Sequence, residues 1–407
     1  MLLLYNIGLF LYKILVITAS VFNKKAKLFV TGRKNLAGLI AKQIDPSKKH
    51  IWFHFASLGE FEQGRPVLEE IKQKHPENRI VVTFFSPSGY EIRKNYALAE
   101  GVFYLPLDTR KNAEELISLI NPEIAVFTKY EFWYYYFKTL HDRKIPLLLI
   151  SGIFRPEQVF FKWYGGFYRR MLSYVTHFFV QNTESVDLLR NIGISDVSLS
   201  GDTRFDRVAA NAASPKKLPL IEAFCGDAPV FIAGSTWPQD EALLKALFKQ
   251  PQGTWKLIIA PHEIAPSHLA QVSRLFPEAV SYTSLQAGDN FAEKRVLVVD
   301  NIGMLSSIYQ YATVAYIGGG FGSGIHNTLE AAAFGLPVIF GPKYDKFQEA
   351  KDLLALGAAI SISTAEDLSA AFLKLQKDPD AGTRAKTYVA EKTGSTAQIV
   401  KFLEQYN

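Results

Sequence analysis

Hydrophobic and polar positions change rhythm along the chain. Residues 2–22 (LLLYNIGLFLYKILVITASVF) are one apolar run in which only Asn6, Lys13, Thr18 and Ser20 are notably polar. About 20 residues cross a bilayer as a helix. Lys24, Lys25, Lys27, Arg33 and Lys34 follow at once, and positive charge behind an apolar run favours keeping the rest of the chain in the cytoplasm. A cleaved signal would carry its basic residues in front and a small-residue cleavage site behind, and this run has neither. The run predicts a membrane anchor, either spanning or lying in the interface with Lys13 snorkelling. The alternative is an apolar helix buried against the body of the protein.

Beyond residue 50, short β-rich runs alternate with helical periodicity. Strands are predicted at 51–56, 79–85, 103–105, 124–127, 146–150, 177–180 and 197–200, with helices at 60–74, 89–99, 112–120, 132–143 and 184–191 between them. Links of a few residues between such elements argue for a parallel sheet wrapped by helices. Residues 211–229 hold three prolines and few periodic apolar positions, the signature of a linker. The alternation then restarts, with strands at 230–233, 257–260, 296–299, 314–317 and 337–340 and helices at 240–248, 266–276, 304–311, 326–334, 344–356 and 365–374. The expected organisation is an anchor (1–23), a first α/β domain (24–210), a linker (211–229), a second α/β domain (230–385) and a C-terminal helix (386–407) that could pack back on the first domain. Ligands of such folds bind at the carboxyl ends of the strands, so two facing halves would enclose a cleft.

Composition narrows the chemistry. With 48% hydrophobic and 21% charged residues the 407-residue chain is an ordinary globular protein. The single cysteine, Cys225, excludes an internal disulfide framework and a cysteine-based metal site. A net charge of +6 is too mild to signal nucleic acid. The eight histidines show no metal-binding spacing, and no G-x-S-x-G nucleophile elbow is present.

Several polar groups fall where predicted strands end. In His54-Phe-Ala-Ser57-Leu-Gly-Glu60, Glu60 lies in the first turn of a helix, where a carboxylate could accept a proton from a substrate hydroxyl. Ser57-x-x-Glu60 is also a capping box, in which the glutamate merely bonds the backbone. Glu131 follows another strand, in Lys129-Tyr-Glu-Phe-Trp133, and Arg204 lies in Gly201-Asp-Thr-Arg204-Phe-Asp206. In the second half, Gly234-Ser235-Thr236 and Pro261-His262 follow strands. The glycine loop Gly318-Gly-Gly320-Phe-Gly-Ser-Gly324 leads through His326 and Asn327 to Glu330. Such a loop before a helix could present backbone N–H groups to a phosphate, with Glu330 on ribose hydroxyls. The other reading is a tight turn. No Walker lysine follows, and the spacing fails G-x-G-x-x-G. Phe160–Arg170 (FFKWYGGFYRR) mixes aromatics and cations. It could touch lipid headgroups, or be a surface helix with part of its aromatic face buried.

Taken in order, these motifs resemble the 3-deoxy-D-manno-octulosonic acid (Kdo) transferases of lipopolysaccharide biosynthesis. The resemblance implies the GT-B fold, two facing Rossmann-like domains. It implies transfer of Kdo from CMP-Kdo to a lipid A precursor at the cytoplasmic face of the bacterial inner membrane, with inversion and without a metal or other cofactor. It makes Glu60 the base and gives Glu131 and Arg204 roles in binding or stabilising the reacting groups. Donor binding falls to Ser235, Thr236, Pro261, His262, Ile302, Gly303, Met304, Gly320, Asn327, Thr328, Leu329 and Glu330. The chain departs from the family pattern at Tyr134 (often proline), His262 (often arginine) and Arg204 (commonly lysine). A neutral His262 would be a weaker phosphate contact, and an arginine keeps the charge but changes the geometry. The rival readings are a GT-B enzyme using a UDP-sugar on a membrane lipid, a sugar-nucleotide epimerase, and a tethered nucleotide-binding protein without chemistry.

Overall fold

The structure, a computed structural model, describes residues 1–249, 253–291 and 293–406. The chain divides into two units, Met1–Asp206 with Thr393–Asn407, and Arg207–Lys392. Each is built on a seven-stranded parallel sheet with helices between consecutive strands.

The first sheet holds β1 (His50–Phe55), β2 (Ile80–Phe84), β3 (Gly101–Tyr104), β4 (Pro122–Thr128), β5 (Leu147–Gly152), β6 (His177–Val180) and β7 (Val197–Leu199), in the order β3-β2-β1-β4-β5-β6-β7. Runs such as IVVTF and LLLISG are buried at every position. A parallel sheet covered on both faces demands that continuous apolarity, which strict alternation could not supply. The order reverses between β1 and β4, so the crevice for a ligand opens beyond the carboxyl ends of those two strands.

The second sheet holds β8 (Val230–Thr236), β9 (Lys256–Pro261), β10 (Val280–Ser281), β11 (Val296–Val298), β12 (Val314–Ile317), β13 (Val338–Phe340) and β14 (Ala359–Ser361), in the order β10-β11-β9-β8-β12-β13-β14. Its reversal lies between β8 and β12. The edge strands β10 and β14 have two and three residues, too short to register as a period.

Three helices precede β1: α1 (Leu2–Ala19), α2 (Lys24–Thr31) and α3 (Leu36–Gln43). No residue of α1 is buried, so the alternative of a core helix does not describe it. One side of α1 is moored to the first unit by polar and aromatic contacts. The Tyr5 hydroxyl donates to Asp108, and the Tyr135 hydroxyl donates to Asn6 Oδ1 at 2.9 Å. The Tyr5 ring lies 5.8 Å from Phe167, and the Tyr12 ring 6.1 Å from Phe29. Asp108 also accepts the backbone N–H groups of Tyr135 and Tyr136, both at 3.0 Å, and the Tyr5 oxygen accepts that of Tyr134 at 3.4 Å. Asp108 and Tyr5 together therefore satisfy the first N–H groups of the helix Tyr134–Asp142, which have no partner inside that helix. Burial raises the Asp108 carboxyl to about 6, against the lowering effect of these donors.

Two expectations need correction. Residues 211–229 are not an open linker. The helix Thr203–Ala213 runs into them, and a second helix, Pro219–Cys225, buries Ile221, Phe224 and Cys225. Pro219 stands in the first turn of that helix, where its missing N–H costs nothing, so one proline read as a breaker is a starter. The helix expected over 89–99 spans Pro87–Arg93 and stops there. At the C-terminus, Ile399, Val400 and Leu403 of the helix Ser395–Leu403 are buried in the core of the first unit, beside α4 (Leu58–Lys74). Asp206 holds the start of that C-terminal helix, accepting from Gly394 N at 2.5 Å and from Thr396 N at 2.8 Å.

Candidate active site

In the first unit the candidate groups gather at the sheet reversal. β1 runs through Ser57 into α4, which places Glu60 in that helix's first turn. The Ser57 hydroxyl donates to the Glu60 carboxylate and makes no bond to the helix backbone. A capping box requires the serine oxygen to accept from the backbone, so the bland reading of this pair is not what the fold builds.

Glu131 follows β4, the strand next to β1. His54 Nε2 lies 3.0 Å from Glu131 Oε2, and Trp133 Nε1–H donates to the same oxygen at 2.8 Å. The other ring nitrogen of His54 lies 2.8 Å from Thr83 Oγ1, which accepts from Trp52 Nε1 at 2.8 Å. His54 is fully buried, so a chain of buried hydrogen bonds fixes one oxygen of Glu131. Lys129, at the end of β4, has φ 62°, a left-handed conformation that costs energy for a side chain with a Cβ. Strain of this kind re-aims the chain at the strand's exit, where Tyr130 and Glu131 follow. The Glu60 charge adds to burial in raising the Tyr130 phenol, while Arg155 lowers it. Tyr130 thus lies in the field of both groups.

Arg204 is less open than the sequence suggests. Asp202, itself buried, accepts from Arg204 Nε and Nη2, each at 2.8 Å. Neighbouring Thr203 donates to the carbonyl of Gln63 on α4 and lies 3.1 Å from Ser151 Oγ at the end of β5. The Gly201–Asp206 segment is thereby fastened to α4 and to the exit of β5.

The second unit repeats the plan. Ser235, in the last residues of β8, has φ 55°, while the Thr236 hydroxyl is buried and donates to Glu241 at 2.9 Å. Pro261 ends β9 and is followed by exposed His262, whose N–H donates to Thr236 O at 2.9 Å. Ile302, Gly303 and Met304 lie in the segment after β11, with Ile302 exposed. Trp237, His262 and His326 form a stacked tier, with centroids 4.9 Å and 4.2 Å apart. Trp237 Nε1–H donates to His326 Nε2 at 3.2 Å. Burial and the neighbouring His262 push His326 down to about 4.

The glycine loop differs most from expectation. Its helix is Leu329–Ala333, only five residues, so the segment Ile325–Thr328 separates the last glycine from it. The loop's N–H groups largely serve the protein: Gly319 donates to Asp240 at 3.0 Å, Gly318 to Gly234 O at 2.9 Å and His326 to Gly318 O at 3.1 Å. A Cβ on Gly318 would lie 2.3 Å from Ser235 O, and one on Gly320 2.6 Å from the Gly341 backbone. Much of the glycine density is thus close packing of strand exits. Glu330, in the first turn of the short helix, accepts from Asn327 Nδ2 at 3.2 Å. Burial raises its carboxyl, opposed by Arg207 and Asn327. Thr328 and Leu329 are buried beside it.

Reading the sequence alone assigned no role to His54, Tyr130, Arg155, Trp237 or His326. His54 could have been found as a histidine near the carboxyl end of a β1 that is apolar apart from His50 and His54; the others carry no local signal. Among the described residues no cluster of three or more His, Cys, Asp or Glu could hold a metal.

Comparison with known proteins gives these groups a context. Residues 32–207 match the family model described as 3-Deoxy-D-manno-octulosonic-acid transferase (kdotransferase). A 3-deoxy-D-manno-octulosonic acid transferase of Aquifex aeolicus is 27% identical over 333 residues, 79% of this chain and 84% of that protein. One from Chlamydophila psittaci is 28% identical over 75% of this chain and 73% of that protein. Among solved structures, a UDP-GlcNAc 2-epimerase of Neisseria meningitidis bound to UDP-GlcNAc shares the fold at a TM-score of 0.60 and 15% identity, over 88% of this chain and 99% of that one. CalG4, the calicheamicin glycosyltransferase, does so at a TM-score of 0.55 and 14% identity, over 88% and 98%.

Proposed function

Since the chain belongs with the Kdo transferases, glycosyltransferases of lipopolysaccharide synthesis, we propose that it transfers Kdo from CMP-Kdo to the hydroxyl of a lipid A precursor with inversion at the anomeric carbon. Glu60 takes the proton as the acceptor's O–H bond breaks, and that oxygen bonds to the anomeric carbon. The bond from this carbon to the CMP phosphate oxygen breaks, and its electron pair leaves with CMP. Such a displacement needs a base and a stabilised leaving group and no covalent enzyme nucleophile.

The observation that carries the reading is that Glu60 and Glu131 follow the adjacent strands β1 and β4 at the reversal of the first sheet, inside the segment that matches the family. Among the described residues Glu60 accepts from the Ser57 hydroxyl, a neutral donor that does not tie it to a cation. Glu131 is fixed by His54 and Trp133, which suits binding or electrostatic work better than proton transfer. Arg204, already neutralised in part by Asp202, would position the acceptor or donor more than supply bare charge. In the second unit, Ser235, Thr236, Pro261, His262, Ile302–Met304, Gly320 and Asn327–Glu330 would surround CMP. With most of the glycine-loop amides occupied, the Trp237–His262–His326 tier would share the task, as a stacking platform for the base or as imidazole donors to the phosphate. No metal enters this scheme.

For the membrane, the mooring of α1 favours lying over spanning. Contacts from Tyr5 to Tyr12 hold the helix against the first unit. A crossing helix would carry that polar surface into the hydrocarbon. We place α1 in the interface of the inner membrane, cytoplasmic face, with its unburied apolar side in lipid and Lys24, Lys25 and Lys27 among headgroups. Trp163, 91% exposed, beside Tyr164 and Lys162, would be a second point of contact.

The test is product mass after mixing the protein with CMP-Kdo and a tetra-acylated lipid A precursor, with CMP release measured against UDP release from UDP-sugars. Glu60→Gln should lower turnover by about a hundredfold or more while CMP-Kdo binding is retained. Full turnover would remove Glu60 as the base, and transfer from a UDP-sugar alone would replace the donor assignment.

A further inference from the structure

A cavity of about 430 Å³ lies between the anchor helix and the body of the first unit. Its walls are Tyr12, Val16 and Ala19 of α1, Ala26 and Phe29 of α2, and Phe85 at the end of β2. Its rim carries Asn23, Ser86 and one cation, Lys25, and no carboxylate. Three rings shape the interior. Tyr12 stacks on Phe85 at 6.3 Å, and Phe29 meets the same ring edge-on at 5.2 Å. The Phe85 ring also meets the Arg33 guanidinium, 5.2 Å from its centroid, and Trp133, 4.8 Å away, which donates to Glu131. The cavity thus begins at the unburied apolar helix and ends one ring short of the active-site carboxylate.

We propose that this groove holds one acyl chain of an anionic amphiphile, which under the reading above is the glycolipid acceptor. Two features select that occupant. The apolar wall continues the bare face of α1, so a chain can enter from lipid without crossing water. The rim is cationic, with Lys24 and Lys27 flanking Lys25, which suits a phosphorylated headgroup and disfavours a fatty amine or a neutral peptide. The groove would therefore act as a ruler, setting the headgroup of a seated lipid beside the exits of β2 and β4. The inference rests on the assignment of an acylated acceptor. Its test can nonetheless fail or succeed apart from that assignment.

The full chain is reconstituted in nanodiscs of phosphatidylcholine containing a small fraction of phosphatidylglycerol brominated along its acyl chains, and tryptophan emission is followed. Bromine quenches on contact, and the share carried by Trp133 is the difference between the wild type and Trp133→Phe. Quenching of that share should saturate. It should need about tenfold more brominated lipid in Ala26→Phe, which fills the groove, and several-fold more when brominated phosphatidylcholine replaces the anionic lipid. Ala19→Phe fills the same space from the other helix and guards against misfolding of either variant, checked by circular dichroism. Trp133 quenching that is linear in lipid, or unchanged in both filled variants, overturns the groove. Transfer activity on the tetra-acylated precursor is measured on the same samples. Saturable quenching without transfer keeps the groove and removes the acceptor assignment. Transfer with an unaltered KM for that precursor in both filled variants keeps the assignment and removes the groove.

Discussion

Replacing Tyr5 by Phe tests whether α1 is part of the scaffold of the candidate active site. Tyr5 stands on α1, yet its hydroxyl serves the helix Tyr134–Asp142, which begins one residue after Trp133. The substitution removes one hydrogen bond donated to Asp108 and one acceptor for Tyr134 N–H. A hydrogen bond to a charged partner contributes about 1.5–3 kcal/mol, and one to a neutral partner about 0.5–1.5 kcal/mol. The Asp108 carboxyl titrates at about 6, so the two together should cost about 2–4 kcal/mol at pH 7.5 and about 1–3 kcal/mol at pH 5, a difference of about 1 kcal/mol or more. The wild type has its own slope. A carboxyl at about 6 when folded and about 3.9 when unfolded binds more protons in the folded state between those values. Its contribution is therefore fully present below about pH 4 and is lost as pH rises through 6, by roughly 3 kcal/mol. Tyr5→Phe removes a group that lowers the carboxyl, so the same loss should extend to higher pH, and Asp108→Asn should abolish it. Urea unfolding in detergent at the two pH values gives the energies. Hydrogen exchange of the peptide 129–142 shows whether the helix start loosens. A loss equal at both pH values, or exchange unchanged at Tyr134–Tyr136, would refute the coupling.

Two further substitutions check the second unit. Gly320→Ala forces a Cβ to 2.6 Å from the Gly341 backbone, where nothing flexible can yield. It should cost about 1–3 kcal/mol, whereas Gly322→Ala, with only Gly319 O at 3.5 Å, should stay within about 1 kcal/mol; equal thermal shifts for the pair would contradict the packing account. His326 is held down to about 4, below its ordinary value near 6.5, so stability from its neutral form is present above that value and lost as pH falls from about 6.5 towards 4. NMR titration of the ring should show the imidazole neutral at pH 5.5, and a midpoint near 6.5 would show that the tier does not bury it.

How far the sequence reaches depends on whether a feature is local. Both parallel sheets were legible because the strands are continuous apolar runs. The carboxyl-end positions of Glu60 and Glu131 followed from strand–turn–helix order alone. The partner of Glu131 did not, because His54 reaches it only through the pairing of β1 with β4, in which His54 lies opposite Phe127. No spacing rule connects residues 77 positions apart. The second sheet shows the opposite error, a local signal read too directly. Five glycines in seven residues looked like a phosphate cradle. Gly318 and Gly320 are there because Ser235 O and Gly341 occupy the space a Cβ would need, and Asp240 takes the Gly319 amide. A glycine-rich exit says that backbone must come close to something. Whether that something is a ligand or the neighbouring strand's own exit is decided by the register of β8, β12 and β13. The aromatic and imidazole tier of Trp237, His262 and His326, drawn from three separate exits, is therefore the better place in this unit to look for contacts to the proposed donor.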